Sequence, residues 1–163
     1  MTNGRVDKAE RKSHYGDGKQ PWDTLCEETP WAVAFAAGNI PDVKGVWAGK
    51  TDTIVVGSGG HFPSNKGTFE KPGLFESDIR VNITGQEGRR FWGVKTLSGN
   101  GEKTDEPFIG ELYGSDNRRV LIADTDGYIN GEIRGNVFSY CYAHAGGPTK
   151  TSLVACNEVK RAR

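Results

Sequence analysis

From about Lys44 to the C-terminus, apolar and polar residues alternate with a period of two, the pattern of half-buried strands. Eight segments carry it, at 44–57, 76–86, 89–97, 106–114, 118–125, 128–135, 137–145 and 151–160, each bounded by Gly, Asn, Asp or Pro. Three connections predict register. Asp126-Gly127 is a two-residue type I′ turn signal, which sets Thr125 opposite Tyr128, Ala123 opposite Asn130 and Leu121 opposite Glu132. Glu87-Gly88 would act in the same way, with Ile83 opposite Trp92 and Thr84 opposite Phe91. A turn centred on Gly147-Pro148-Thr149-Lys150 sets Cys141 opposite Cys156. Successive hairpins make a meander, and strands of this number and length hide their edges best by closing. The expected fold is therefore all-β: an eight-stranded antiparallel up-and-down β-barrel over 44–160, behind a short helical N-terminal segment.

That segment breaks the period. Residues 1–19 are polar and glycine-bearing, which predicts a flexible arm. Over 20–40, Thr24 and Glu27 fit a capping box, Thr29-Pro30 fits a second helix start, and Gly38-Asn39 supplies a stop. One or two short helices are expected there, with Trp31, Ala34 and Phe35 on one face.

Composition agrees with a sheet and removes several functions. The 163 residues suit one domain, and 35% hydrophobic residues with 23 glycines are meagre for helices but enough for strands that bury alternate positions. Lys plus Arg equals Asp plus Glu at 21 each, so no global field draws in nucleic acid or an anionic membrane. The basic pairs Arg89-Arg90 and Arg118-Arg119 flank turns without interleaved aromatics, and nucleic acid is not an expected partner. No apolar run reaches membrane-spanning length and no leader-like segment opens the chain, so a cytoplasmic protein with no membrane partner is expected. Cys26, Cys141 and Cys156 fit neither a disulfide scaffold nor a CxxC metal site, and reduced thiols are expected. His14, His61 and His144 are too scattered for a metal motif, and no cofactor signature occurs.

Chemistry has to come from the strand faces. One face carries Ile79, Val81, Ile83, Trp92 and Val94 with Val120, Ile122, Ile129 and Ile133; the other carries Asn82, Gln86 and Phe91 with Leu121, Tyr128, Asn130 and Glu132. An inward aliphatic face gives a packed core, and an inward mixed face gives a polar-lined pocket. Parity alone does not choose. With the aliphatic face outward, the N-terminal helices or a homo-oligomer would have to cover it. The strand at 137–145 alternates Phe138, Tyr140, Tyr142 and His144, rings with polar tips that suit a pocket wall or an interface. Candidate ligand-binding residues are Trp47, Gln86, Phe91, Tyr128, Tyr140 and Tyr142. Asp124-Thr125-Asp126-Gly127 has the look of a calcium loop, but the flanking ligand positions hold Ile122 and Ile133, so a hairpin turn is expected. Asp124 shares the parity of the aliphatic face and is expected at the barrel mouth, solvated.

The segments GVWAG at 45–49, VNITGQEGRRFWG at 81–93, FIGEL at 108–112, ADTDGYINGEI at 123–133 and SYCY at 139–142 together resemble a lipocalin-like or avidin-like barrel of the calycin type. The resemblance implies an interior able to hold a small-molecule ligand, and implies no catalytic residue. SHYGDGKQPWD and FAAGN resemble part of a small helical phage domain related to a phage nucleotide kinase, although Ile40-Pro41 stands where that pattern turns basic. Three functions are thus expected in order: a small-molecule binder; a cofactor-independent cyclase or isomerase using Glu111, Asp124, Tyr142 and His144; and a phage-related sequestering or interaction protein.

Overall fold

The computed structural model describes residues 39–58, 62, 64–146 and 150–162. The arm expected over 1–19 and the helices expected over 20–40 lie outside the described residues, apart from Asn39 and Ile40, which are not helical. Nine strands follow: β1 Gly45–Ser58, β2 Lys66–Gly67, β3 Gly73–Glu87, β4 Arg90–Gly99, β5 Glu102–Tyr113, β6 Arg119–Ala123, β7 Tyr128–Arg134, β8 Val137–Gly146 and β9 Thr151–Arg161. β1 pairs with β3, each later strand pairs antiparallel with the next, and β9 returns to β1. The result is the closed eight-stranded all-β barrel that the alternation predicts. The sequence reading misses only β2, a two-residue clip on the end of β1. No helix among the described residues is long and apolar enough to cross a membrane.

Pairing fixes the size of the barrel. The ladder that starts at Leu74 passes through Ile54, Val154, Ala143, Tyr128, Ala123, Ile109 and Trp92, and regains β3 at Gly85. That is eleven residues along, or ten without the bulge that interrupts β3 between Ile83 and Gly85. With strands about 4.8 Å apart and about 3.3 Å per residue, this stagger tilts them by about 40° and gives a radius of about 8 Å. One layer of large side chains fills such an interior; short ones leave space.

Large side chains fill the end where β1 begins. Trp47, Phe91, Leu112, Phe138 and Val159 are all at most 1% exposed, and the Trp47 and Phe138 rings meet edge to face at 6.2 Å. Trp47 Nε1 donates to the Val43 carbonyl, and the Arg161 guanidinium lies 4.6 Å from the indole centroid while donating to the carbonyls of Asp42 and Lys44. Gln86 ties in the entering chain: it accepts from Val43 N–H and donates to the Pro41 carbonyl, both at 2.9 Å.

The aliphatic face of β3, β6 and β7 points inward, as Ile79, Val81, Ile83, Val120, Ile122, Ile129 and Ile133 are all buried. Two registers differ from those expected. The bulge pairs Ile83 with Gly93, Gly85 with Trp92 and Gln86 with Phe91, so Phe91 turns inward and Trp92 outward. The cause is visible at Gly85, where a Cβ would run into the Trp92 indole that lies across it. In the second hairpin Ala123 faces Tyr128, Leu121 faces Asn130 and Arg119 faces Glu132. Here Asp124 replaces a two-residue turn by a four-residue one: its carboxylate accepts the N–H groups of Asp126 and Gly127, and its own N–H donates to the Gly127 carbonyl. Cys141 does stand opposite Cys156. The expected reduced thiols are corrected, since the two sulfurs are bonded.

Gly85→Val is expected to destabilise the barrel by about 1–3 kcal/mol, with much of the cost gone in a Trp92→Ala background. Denaturant unfolding of the four proteins in this cycle measures it; an unchanged cost without the indole would place the constraint elsewhere.

Candidate functional site

At the opposite end the inward positions are short or polar, and a cavity of about 440 Å³ opens between the strands. Its walls are apolar at Phe62, Ile79, Leu97, Leu153 and Ala155, with Asn65 buried beside Phe62 on the β1–β3 connection. Register builds the polar part. Ser77 faces Thr51, and Tyr140 faces Asn157. The β1–β9 register brings Thr51 level with Asn157, so Ser77, Thr51, Asn157 and Tyr140 form one row across four adjacent strands.

This row is buried and mostly unspent. Thr51 Oγ1, Tyr140 Oη and both amide atoms of Asn157 make no hydrogen bond of sound geometry to another protein group. Each such buried group costs about 1–3 kcal/mol relative to a paired one, and native cores seldom keep them without a use. Burial holds the Tyr140 phenol above its usual pKa, with the adjacent Asn157 pulling the other way.

Across the cavity lies a charge cluster. Lys95 points inward from β4, 4% exposed, with Glu106 as its direct cross-strand partner. Lys95 Nζ is 2.5 Å from Glu106 Oε2 and 2.6 Å from Asp124 Oδ2, and 4.2 Å from the Tyr142 ring centroid. Asp124 therefore does two things at once: Oδ1 folds its turn, and Oδ2 holds Lys95. The solvated Asp124 expected from the sequence is corrected, because its side chain is 1% exposed. At the rim, Tyr142 donates to Asp126 Oδ1 at 2.9 Å, and His144 Nδ1 lies 3.4 Å from Asp126 Oδ2. Burial first, then the Asp124 charge and the bond to Asp126, hold the Tyr142 phenol protonated well above its usual range. Tyr142 is thus a fixed donor. Carboxylate oxygens of Glu106, Asp124 and Asp126 lie within 4.8 Å of one another, a spacing that suits a cation, and the Lys95 ammonium already bridges two of these groups.

Of the candidates read from the sequence, Asp124, Tyr142 and His144 converge here, and Tyr140 and Tyr142 line the cavity. Glu111 lies on the outer surface 3.6 Å from Arg89, and Tyr128 is 66% exposed on the outside. Trp47, Gln86 and Phe91 belong to the filled end. Sequence reasoning overlooks Lys95 and Glu106. Once the bulge sends Phe91 inward, parity sends Lys95 inward too, and Glu106 shares the parity of Phe108 and Leu112.

Comparison with protein-family models, curated proteins and solved structures gives no match. The geometry itself is compatible with a calycin-like barrel.

Lys95→Met leaves two buried carboxylates without their counter-charge and is expected to cost about 3–5 kcal/mol. Urea unfolding measures this. A loss below about 1 kcal/mol would mean the cluster does not depend on the ammonium.

Proposed function

We propose that this protein binds a small molecule inside the open end of its barrel, as the calycin-type resemblance suggests. The observation that supports this best is the buried row of Thr51, Asn157 and Tyr140 along a partly apolar cavity, in which the Thr51 hydroxyl has no protein partner and Tyr140 and Asn157 have only each other, in poor hydrogen-bond geometry. Apolar walls with a few convergent polar groups are what small-molecule sites look like. The filled end supplies stability, and the open end gives some of it up. The Cys141–Cys156 bond fits an oxidising compartment better than the cytoplasm expected from the sequence.

One observation favours a second reading, a cofactor-independent cyclase or isomerase. Asp126 sits against both Tyr142 and His144 at the rim, an arrangement suited to orienting an imidazole for proton transfer. Conversion of a bound molecule by the wild-type protein, lost in His144→Gln with binding kept, would distinguish this reading from simple binding.

For the binding reading, Thr51→Val is expected to stabilise the unliganded protein by roughly 1 kcal/mol, since it removes an unpaired buried hydroxyl, and Tyr140→Phe to leave stability within about 1 kcal/mol, since that hydroxyl has only Asn157 beside it. Both should weaken retention of a co-purifying molecule seen by native mass spectrometry. Loss of stability in both variants would show that these hydroxyls serve the fold.

A further inference from the structure

The outside of the barrel has an apolar face of its own. The β3 bulge turns Trp92 outward, and Gly85 leaves the indole room to lie across the backbone, where a Cβ would meet the ring. A bulge and a glycine thus set a tryptophan on the surface, where it adds nothing to the core. The ladder from Trp92 runs through Ile109 and Ala123 to Tyr128, with Val94 and Leu121 on flanking outward positions. Ile109 and Tyr128 are 69% and 66% exposed, and Trp92 and Leu121 nearly half. Among the described residues, no charged side chain points outward within this face of β4, β5, β6 and β7.

Size, composition and border each bear on what covers it. The five large side chains expose on the order of 500 Å², at the upper end of the largest patch on a typical monomer, and such patches are often functional. Tryptophan and tyrosine at the centre with charge excluded is the composition of an interface core. The charges that border it come as cross-strand pairs of opposite sign, Arg90 with Glu111 and Arg119 with Glu132. Such a border offers both signs to a copy of itself, whereas a surface of one sign would meet repulsion as often as attraction. With its border the face reaches about 800 Å², the area each partner buries in a stable pair.

We infer that this face is the contact between two copies of the chain, related by a two-fold axis, with Trp92 and Tyr128 as its anchors and Ile109 between them. A two-fold contact sets the same patch against itself, which a neutral apolar centre with a mixed-sign border allows. The inference does not rest on the binding reading, since none of these side chains lines the cavity. It also gives the bulge a role: without it Phe91 would stand outside and Trp92 would compete for the narrow core.

Analytical ultracentrifugation of the full chain over a range of concentrations tests it. The mass is expected to rise to that of two chains and no further, with hydroxyl-radical footprinting showing Trp92 and Tyr128 protected in step with it. Ile109→Glu and Trp92→Ala are each expected to raise the dimer dissociation constant about tenfold or more. Ile54→Glu, at an exposed apolar position on β1 across the barrel, should leave it unchanged. A thermal melt checks that each variant folds; should Trp92→Ala fail, Ile109→Glu decides, since that side chain is the most exposed of the set. A monomer at every concentration would overturn the inference, and protection of Trp92 and Tyr128 in that monomer would assign the face to another segment of the same chain. A dimer that Ile109→Glu leaves intact would overturn it too, by placing the contact elsewhere.

Discussion

Closing eight strands with a stagger of ten residues fixes the backbone at about 8 Å from the barrel axis, and every other feature depends on how the narrow space inside is filled. No strand can move without breaking two ladders, so inward side chains must fit the barrel as it closes. Trp47, Phe91 and Phe138 meet this at one end by volume. Burying each ring contributes about 1.5–3 kcal/mol or more, enough for one half to hold the whole barrel. The other half is thereby free to carry side chains chosen for something other than packing.

What those side chains share is an unfavourable environment that the structure tolerates. Lys95, Glu106 and Asp124 are desolvated, and their mutual attraction mostly offsets that loss without adding much net stability. The Thr51 hydroxyl has not even that offset within the protein, and Tyr140 and Asn157 have only each other. Aliphatic side chains at the same positions would give a more stable barrel. A half-barrel that keeps polar groups where apolar ones would do better is what a binding function requires, since recognition needs unspent hydrogen bonds and charge held ready.

Much of the barrel was legible because strand periodicity is a strong signal and most turns are marked by glycine. The Cys141–Cys156 register followed from its turn, and alternation grouped the aliphatic residues of β6 and β7 on one face, although only closure of the barrel settles that this face points inward. The candidate site was legible only in part. A single extra residue at Thr84 reverses parity for all of β4, and nothing local announces it except Gly85, whose need is set by an indole seven residues away. Missing it hid Lys95, and with Lys95 the reason Asp124 can be buried. Tyr140, Tyr142, Asp124 and His144 were visible as candidates because their residue types are unusual on a strand face; which of them meet depends on ladders between distant segments. The neutral row is the extreme case, since Ser77, Thr51, Asn157 and Tyr140 are ordinary strand residues until closure sets them side by side.

The most direct test of a barrel with one filled end and one receptive end is a high-resolution crystal structure of the full chain purified from the cells that make it. Density for a bound molecule is expected within hydrogen-bonding distance of Thr51, Asn157 and Tyr140, with Trp47 and Phe91 packed as a closed core. Collapse of Tyr140, Leu153 and Phe62 into the space, with those polar atoms paired to one another, would contradict it.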